Sequence, residues 1–465
     1  METEPTFQEV TVSFDSKAPL ERHLQRQDPR NDEALRPRFC VWETTLSCNL
    51  RCGHCGSRAG RPRPHELDTR QALEVVAQLA GLGCRLLTLS GGEPLMRPDW
   101  DQLAQEGVRR GITVNMVTNG LLVDERRAKE LRDVGLSNVG VSLDGLPGTH
   151  EGLRGKGTFQ RLQKAIAHLT AAGVPVTVMT TLDRFNEPEL EAVHALAVDL
   201  GAAAWRVQLG KTMGTLADND HRVIRPMDLL DVIPRLARIK KSSPIWVDVG
   251  DSIGYYGPHE GLLRKARWGN MQNLWRGCQA GLRTVGIESD GGVKGCLSLQ
   301  GTLKGHKGDP FREGDLKEHS LEEIWFDPEV FAFNRRFRLD SLTGSCASCR
   351  YKALCRGGAR CVSSAFTGAL GEDPYCYHRV ATLQAKELEK RGGRGSISKL
   401  ATAAAMAMGL GLGGACLGGC LDRNVGTRGG DGGAEPLIND AGIQDAETDA
   451  EPDRKSTRLN SSHYS

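Results

Sequence analysis

The chain has 465 residues, and its 60 basic and 58 acidic side chains leave a net charge of +2. That balance gives no electrostatic footprint for nucleic acid or an anionic membrane, so a nucleic-acid partner is not expected. The mixed, acidic start "METEPTFQEVTVSFDS" lacks the basic-then-apolar order of a secretory signal, so a cytoplasmic protein is expected; in that reducing setting its 14 cysteines are expected to ligate metal rather than pair.

In chain order, six apolar runs between residues 38 and 210 read as strands: "RFCVWETTL", "RLLTLS", "TVNMVT", "NVGVSL", "VTVMTTL" and "AWRVQL". Amphipathic helices separate them. The first, around "ALEVVAQLAGLG", has Asp68 as N-cap with Gln71 three residues on, a capping box, and a glycine at its close. Repeated βα units imply parallel strands with right-handed crossovers, as a partial barrel or a doubly wound sheet. In either, ligands gather at the carboxyl ends of the strands. The distinctive residues fall there: a cysteine loop after the first strand, "SGGEP" after the second, "TNG" after the third and "SLDG" after the fourth.

From about Arg222 the rhythm fades through the helix "PMDLLDVIPRLARIKK" into a Gly- and Trp-containing connector. Seven cysteines follow: Cys278, Cys296, Cys346, Cys349, Cys355, Cys361 and Cys376. With few apolar residues per cysteine, this region is expected to be organised by metal rather than by a hydrophobic core. Cys40 and Cys84 read as ordinary buried thiols. Beyond Arg391 lies a low-complexity tail, 392–452, with a 22-residue uncharged run at 400–421 that leaves membrane association of the tail open. Residues 453–465 read as an adapter-derived artefact and are set aside.

The loop "TTLSCNLRCGHCGSRAG" holds Cys48, Cys52 and Cys55 at C-x3-C-x2-C. Three thiolates without a nearby His-x3-His are one ligand short of a structural zinc site. They suit a four-iron cluster with one open iron, and His54 is an alternative fourth ligand that the short loop disfavours. C-x3-C-x2-C after the first strand, then "GGEP" at 91–94 and "SLDG" at 142–145, resembles the radical S-adenosylmethionine (SAM) enzymes. The later cysteines resemble their SPASM extension, except that Cys361 stands two residues past the expected position, Ala359, and Gln272 replaces an upstream cysteine of some members.

The resemblance implies an α/β fold: a partial (β/α)6 TIM-like barrel followed by a small cysteine-rich iron-sulfur domain. It divides the chain into an N-terminal extension (1–37), a radical SAM core (38–240), a connector (241–277) and a SPASM domain (278–391). It further implies three [4Fe-4S] clusters. One, on Cys48, Cys52 and Cys55, binds SAM and is catalytic; an auxiliary cluster uses Cys278, Cys296 and Cys361, and a second uses Cys346, Cys349, Cys355 and Cys376. Gly91, Gly92 and Glu93 would hold the SAM ammonium, with Ser142 and Arg154 meeting its carboxylate or ribose. The implied activity is reductive cleavage of SAM to a 5'-deoxyadenosyl radical that abstracts hydrogen from a peptide or protein substrate. A reducing partner such as flavodoxin or ferredoxin would serve it, and a separate protein could recognise a peptide leader. The alternatives are maturation of a small cofactor such as a tetrapyrrole, and a non-enzymatic iron-sulfur or zinc protein. Against the latter, electron transfer requires neither "GGE" nor "SLDG" at strand ends.

Overall fold

The computed structural model describes residues 35–391 apart from 251, 266–273 and 301–302. The expectations for the first 34 residues, for Gln272 and for everything after 391 lie outside the described residues.

All six expected strands form: β1 Phe39–Thr45, β2 Leu86–Gly91, β3 Thr113–Thr118, β4 Asn138–Ser142, β5 Val176–Leu182 and β6 Ala204–Leu209. Each pairs in parallel with the next. Consecutive order without a reversal is barrel winding, and it decides between the two architectures that alternating β and α segments allow, since a doubly wound sheet reverses at a switch point. The helix Thr69–Gly81 carries the expected capping box, with reciprocal bonds between Asp68 and Gln71. It buries Ala72, Val75, Val76 and Leu79, the spacing that puts one helical face on the sheet.

Strand alternation sorts the other face. In β5, Val176, Val178, Thr180 and Leu182 are buried, while Thr177, Met179 and Thr181 turn inward. Asn115, Ser142, Arg206 and Gln208 do the same from their strands. Branched apolar side chains would fill such a barrel, whereas these polar residues leave a cavity of about 1290 Å³.

Two expectations are corrected. The connector holds a seventh parallel strand, β7 Trp246–Val249, on the edge of β6. A four-residue strand is too short for periodicity to announce it. The cysteine-rich region is not organised by metal in place of a core. Its β8 Thr284–Ile287 pairs in parallel with β1, and β9 Gly292–Lys294 and β10 Gly314–Asp315 extend the same sheet. Leu321, Ile324, Trp325 and Phe331 join the barrel's hydrophobic core. Trp325 is fully buried, its indole N–H donating to Leu35 O and the Arg335 guanidinium lying 4.7 Å from its ring. Among the described residues no helix is long and apolar enough to cross a membrane.

Trp325→Ala should therefore destabilise the barrel as well as the cysteine-rich region, by about 3–5 kcal/mol. Chemical denaturation followed by far-UV circular dichroism should show one lowered transition for both parts.

Candidate active site at the carboxyl ends of the strands

The three-cysteine loop leaves β1 and folds back, Gly60 N donating to Leu46 O at 2.9 Å and Cys48 N to Gly60 O at 3.3 Å. Each of its sulfurs has a donor. Leu50 N lies 3.4 Å from Cys48 Sγ, Ala59 N 3.3 Å from Cys55 Sγ, and Arg154 Nη1 3.8 Å from Cys52 Sγ. Burial raises the Cys48 thiol and pushes Cys52 up to about 11, with Arg154 opposing the rise. Ligation to a metal must overcome that preference for the neutral thiol, and donors aimed at sulfur help it do so.

After β2, Gly91 and Gly92 run against the start of this loop. A Cβ on Gly92 would fall 2.3 Å from Ser47 O and 2.6 Å from Leu46 O, so only glycine permits the approach. The Glu93 carboxylate is fully buried and accepts from Leu95 N (3.2 Å), Thr118 Oγ1 (2.8 Å) and Asn119 N (2.8 Å). Three bonds leave about one of its lone-pair positions for a ligand ammonium.

Ser142, at the end of β4, and Arg154, in the last turn of the helix Pro147–Arg154, both line the cavity with Gly91 and Cys55. Sequence reasoning missed the residue that holds Arg154. Asp144, the third residue of "SLDG", is fully buried and pairs with Arg154 through Oδ2. Its Oδ1 accepts from Thr181 N at 2.7 Å, and His54 Nε2 stands 3.3 Å from Oδ2. Burial pulls the Asp144 carboxyl up, but Arg154 and His54 bring it below the usual range. His54 is thus tied to Asp144 and Arg154, and burial lowers its imidazole to about 4.

The seven later cysteines influence one another's ionisation. Burial pushes the Cys361 thiol up to about 12, with Cys278 and Cys296 adding to the rise. All three line the same cavity as Cys55. The shift from 359 to 361 is absorbed because "RGG" turns at Gly357 and Gly358, both at positive φ, before the helix Arg360–Thr367. Burial likewise pushes Cys346 up to about 11 and Cys355 to about 12, each raised further by Cys349, and lifts Cys376, which feels Cys355 and Cys346. Asp373, pushed up to about 7 by burial, acts on both groups.

All twelve described cysteines are free thiols. Among the described residues no three His, Cys, Asp or Glu side chains converge on a position for a single ion, whereas a four-iron cube takes more widely spread thiolates. Arg360, fully buried beside Cys278, Cys355 and Cys346, has an Nη2 with no hydrogen-bond partner among the described residues. A buried guanidinium donor among thiols suits an anionic cluster.

A profile of the radical SAM superfamily matches residues 42–197, and one of an iron-sulfur cluster-binding domain, SPASM, matches 278–350. The chain belongs to the radical SAM superfamily and carries a SPASM domain. It is 32% identical to an AdoMet-dependent heme synthase of Methanosarcina barkeri, over 74% of this chain and 97% of the relative. An Fe-coproporphyrin III synthase of the same organism is 29% identical over 72% and 87%. The mycofactocin maturase MftC of Mycobacterium tuberculosis is 28% identical over 73% and 83%. Among solved structures, Streptococcus suis SuiB bound to S-adenosylmethionine superposes with a TM-score of 0.58 at 17% identity, covering 74% of this chain and 77% of SuiB. That likeness shows a shared radical SAM fold.

Anaerobically reconstituted protein should cleave SAM to 5'-deoxyadenosine, and replacing Cys48, Cys52 and Cys55 together by alanine should abolish this, as read by liquid chromatography. Iron analysis should find about twelve irons per chain, and Cys361→Ala should lower the count by about four.

Proposed function

We propose that this enzyme modifies a tetrapyrrole of the haem class, with a peptide as the less supported substrate. The observation that carries the reading is the 32% identity to a heme synthase matched over 97% of that relative's length. The Fe-coproporphyrin III synthase adds to it. The maturase MftC, at lower identity, and Streptococcus suis SuiB, solved bound to precursor peptide SuiA, keep the peptide reading in view.

The cavity supports the reading by size and position. At about 1290 Å³ it exceeds the range usual for a drug-sized ligand, and a macrocycle needs such room. Its walls include the three-cysteine loop at one side and Cys278, Cys296 and Cys361 at another, so a bound substrate would face both. Gly91, Gly92, Glu93, Ser142 and Arg154 would hold SAM. Cys48, Cys52 and Cys55 would hold its cluster, and the two later groups would hold auxiliary clusters. When bound, the reduced cluster and SAM supply a 5'-deoxyadenosyl radical able to take a hydrogen atom from an unactivated carbon. The protein orients the substrate and excludes water around it. Asp144 keeps Arg154 facing the cavity, and His54, held neutral by burial, fills the space beside Cys55 without adding charge. A reducing cytoplasmic setting would suit such clusters, and there a flavodoxin or ferredoxin would supply the electron.

With SAM and a chemical reductant, iron coproporphyrin III should be consumed in step with 5'-deoxyadenosine formation. If tetrapyrroles neither bind nor react while a short precursor peptide encoded beside the enzyme gains or loses mass, the peptide reading replaces this one.

A further inference from the structure

The segment Gly210–Thr215, just after β6, touches both the three-cysteine loop and the helix that carries Cys361. Thr215 N donates to Cys55 O at 2.8 Å. Gly214 has φ +55, and a Cβ there would fall 2.2 Å from Cys55 O and 2.3 Å from Gly56 O, so the backbone passes where no side chain fits. From the same segment Thr212 Oγ1 donates to Ala365 O at 2.8 Å, within the helix Arg360–Thr367. Lys211 stands between these anchors, half-buried, and its side chain lines the cavity together with Cys278, Cys296 and Cys361.

Among the described residues the Lys211 ammonium makes one hydrogen-bond contact, to Leu209 O at 3.5 Å, the outer limit of a hydrogen bond, while its charge favours the ionised forms of the Cys361 and Cys296 thiols. Among the described residues no carboxylate lies within ion-pair distance of it. An ammonium carries three donors, so at least two remain for a ligand. Other cavity cations are differently committed. Arg154 pairs with Asp144 and Arg206 with Asp248, and Arg264 donates to the carbonyls of Val249 and Gly250. Arg85 immediately precedes β2, at the far end of the barrel. Lys265 also lies there, its carbonyl accepting from Lys240, whose ammonium sits 4.5 Å from the Trp246 ring at the start of β7.

We propose that Lys211 binds an ionised carboxylate of the substrate, a propionate of the tetrapyrrole, and thereby places the macrocycle between the three-cysteine loop and the Cys278–Cys296–Cys361 group. The proposal rests on the tetrapyrrole reading above. SAM also carries a carboxylate, but the residues implied for it, Ser142 and Arg154, belong to the β4 side, two strands round the barrel from Lys211. A compact ammonium attracts a propionate by charge without demanding the two-pronged geometry of a guanidinium.

The test compares reconstituted full-length protein with its Lys211→Gln and Lys211→Arg variants. Iron coproporphyrin III is titrated by its Soret absorbance, SAM by equilibrium dialysis, and iron by chemical analysis. Lys211→Gln should weaken iron coproporphyrin III binding by about tenfold or more. Lys211→Arg should recover most of that loss, with SAM affinity and iron content unchanged in both. Equal tetrapyrrole binding by Lys211→Gln and the parent overturns the proposal, as does equal weakness of both variants. A loss confined to SAM affinity would show that Lys211 serves the cosubstrate. A loss of iron would show that it serves the auxiliary cluster. Failure of the parent protein itself to bind iron coproporphyrin III overturns the tetrapyrrole reading and this proposal with it.

Discussion

The buried carboxylate of Asp144 is the constraint on which the catalytic end of the barrel depends. It takes Thr181 N from β5, Arg154 from the helix after β4 and His54 from the three-cysteine loop, so three segments distant in sequence meet on one side chain. Its own backbone is fixed as well, its carbonyl accepting Asn186 Nδ2 at 3.0 Å. Removing a charge pair from water is expensive, and such a pair holds only where further hydrogen bonds satisfy it. Here they do, and the outcome is an arginine whose other nitrogens reach Cys52 Sγ and His54. The position of a cation beside Cys52 in the three-cysteine loop therefore follows from Asp144.

A second network joins the barrel to the cysteine-rich region. Glu43, buried in β1, accepts from Arg63 Nε at 2.6 Å and from Ser289 Oγ at 3.1 Å, while Arg63 also reaches Glu288 at 3.1 Å. With β8 paired to β1, this makes the two regions one sheet over a shared main core, beside which Ala280, Leu299 and Phe311 form a smaller cluster within the cysteine-rich region. The shared cavity is a consequence. Because the sheet continues past β1, Cys278 and Cys296 are carried to the open end of the barrel, and Cys361 is held beside them by the contact of Thr212 with Ala365. A substrate in that space would meet thiols from both regions.

Much of this was legible in the sequence. The six strands, the capping box at Asp68 and Gln71 and the three-thiol loop are local patterns, fixed by the two-residue period of strands, the capping geometry of helices and close spacing along the chain. The grouping of the later cysteines came from a family pattern rather than from a local signal. Tertiary structure alone decided the rest. Barrel winding depends on which strand edges meet, and β7 was too short to be seen. The core of the cysteine-rich region was missed because part of it, with Leu321, Ile324 and Trp325, buries against the barrel, and the rest is a small cluster of Ala280, Leu299 and Phe311 gathered from scattered positions. Asp144 lay inside "SLDG" with nothing local to mark its role, and Lys211 carried no local signal at all. What distinguishes them is the presence or absence of a partner, and the decisive partners come from elsewhere in the fold; Glu43 and Ser289, 246 residues apart, show how far such contacts reach. Spacing along a chain determines local geometry, whereas the charge a residue faces is set by packing, which only the folded surfaces define.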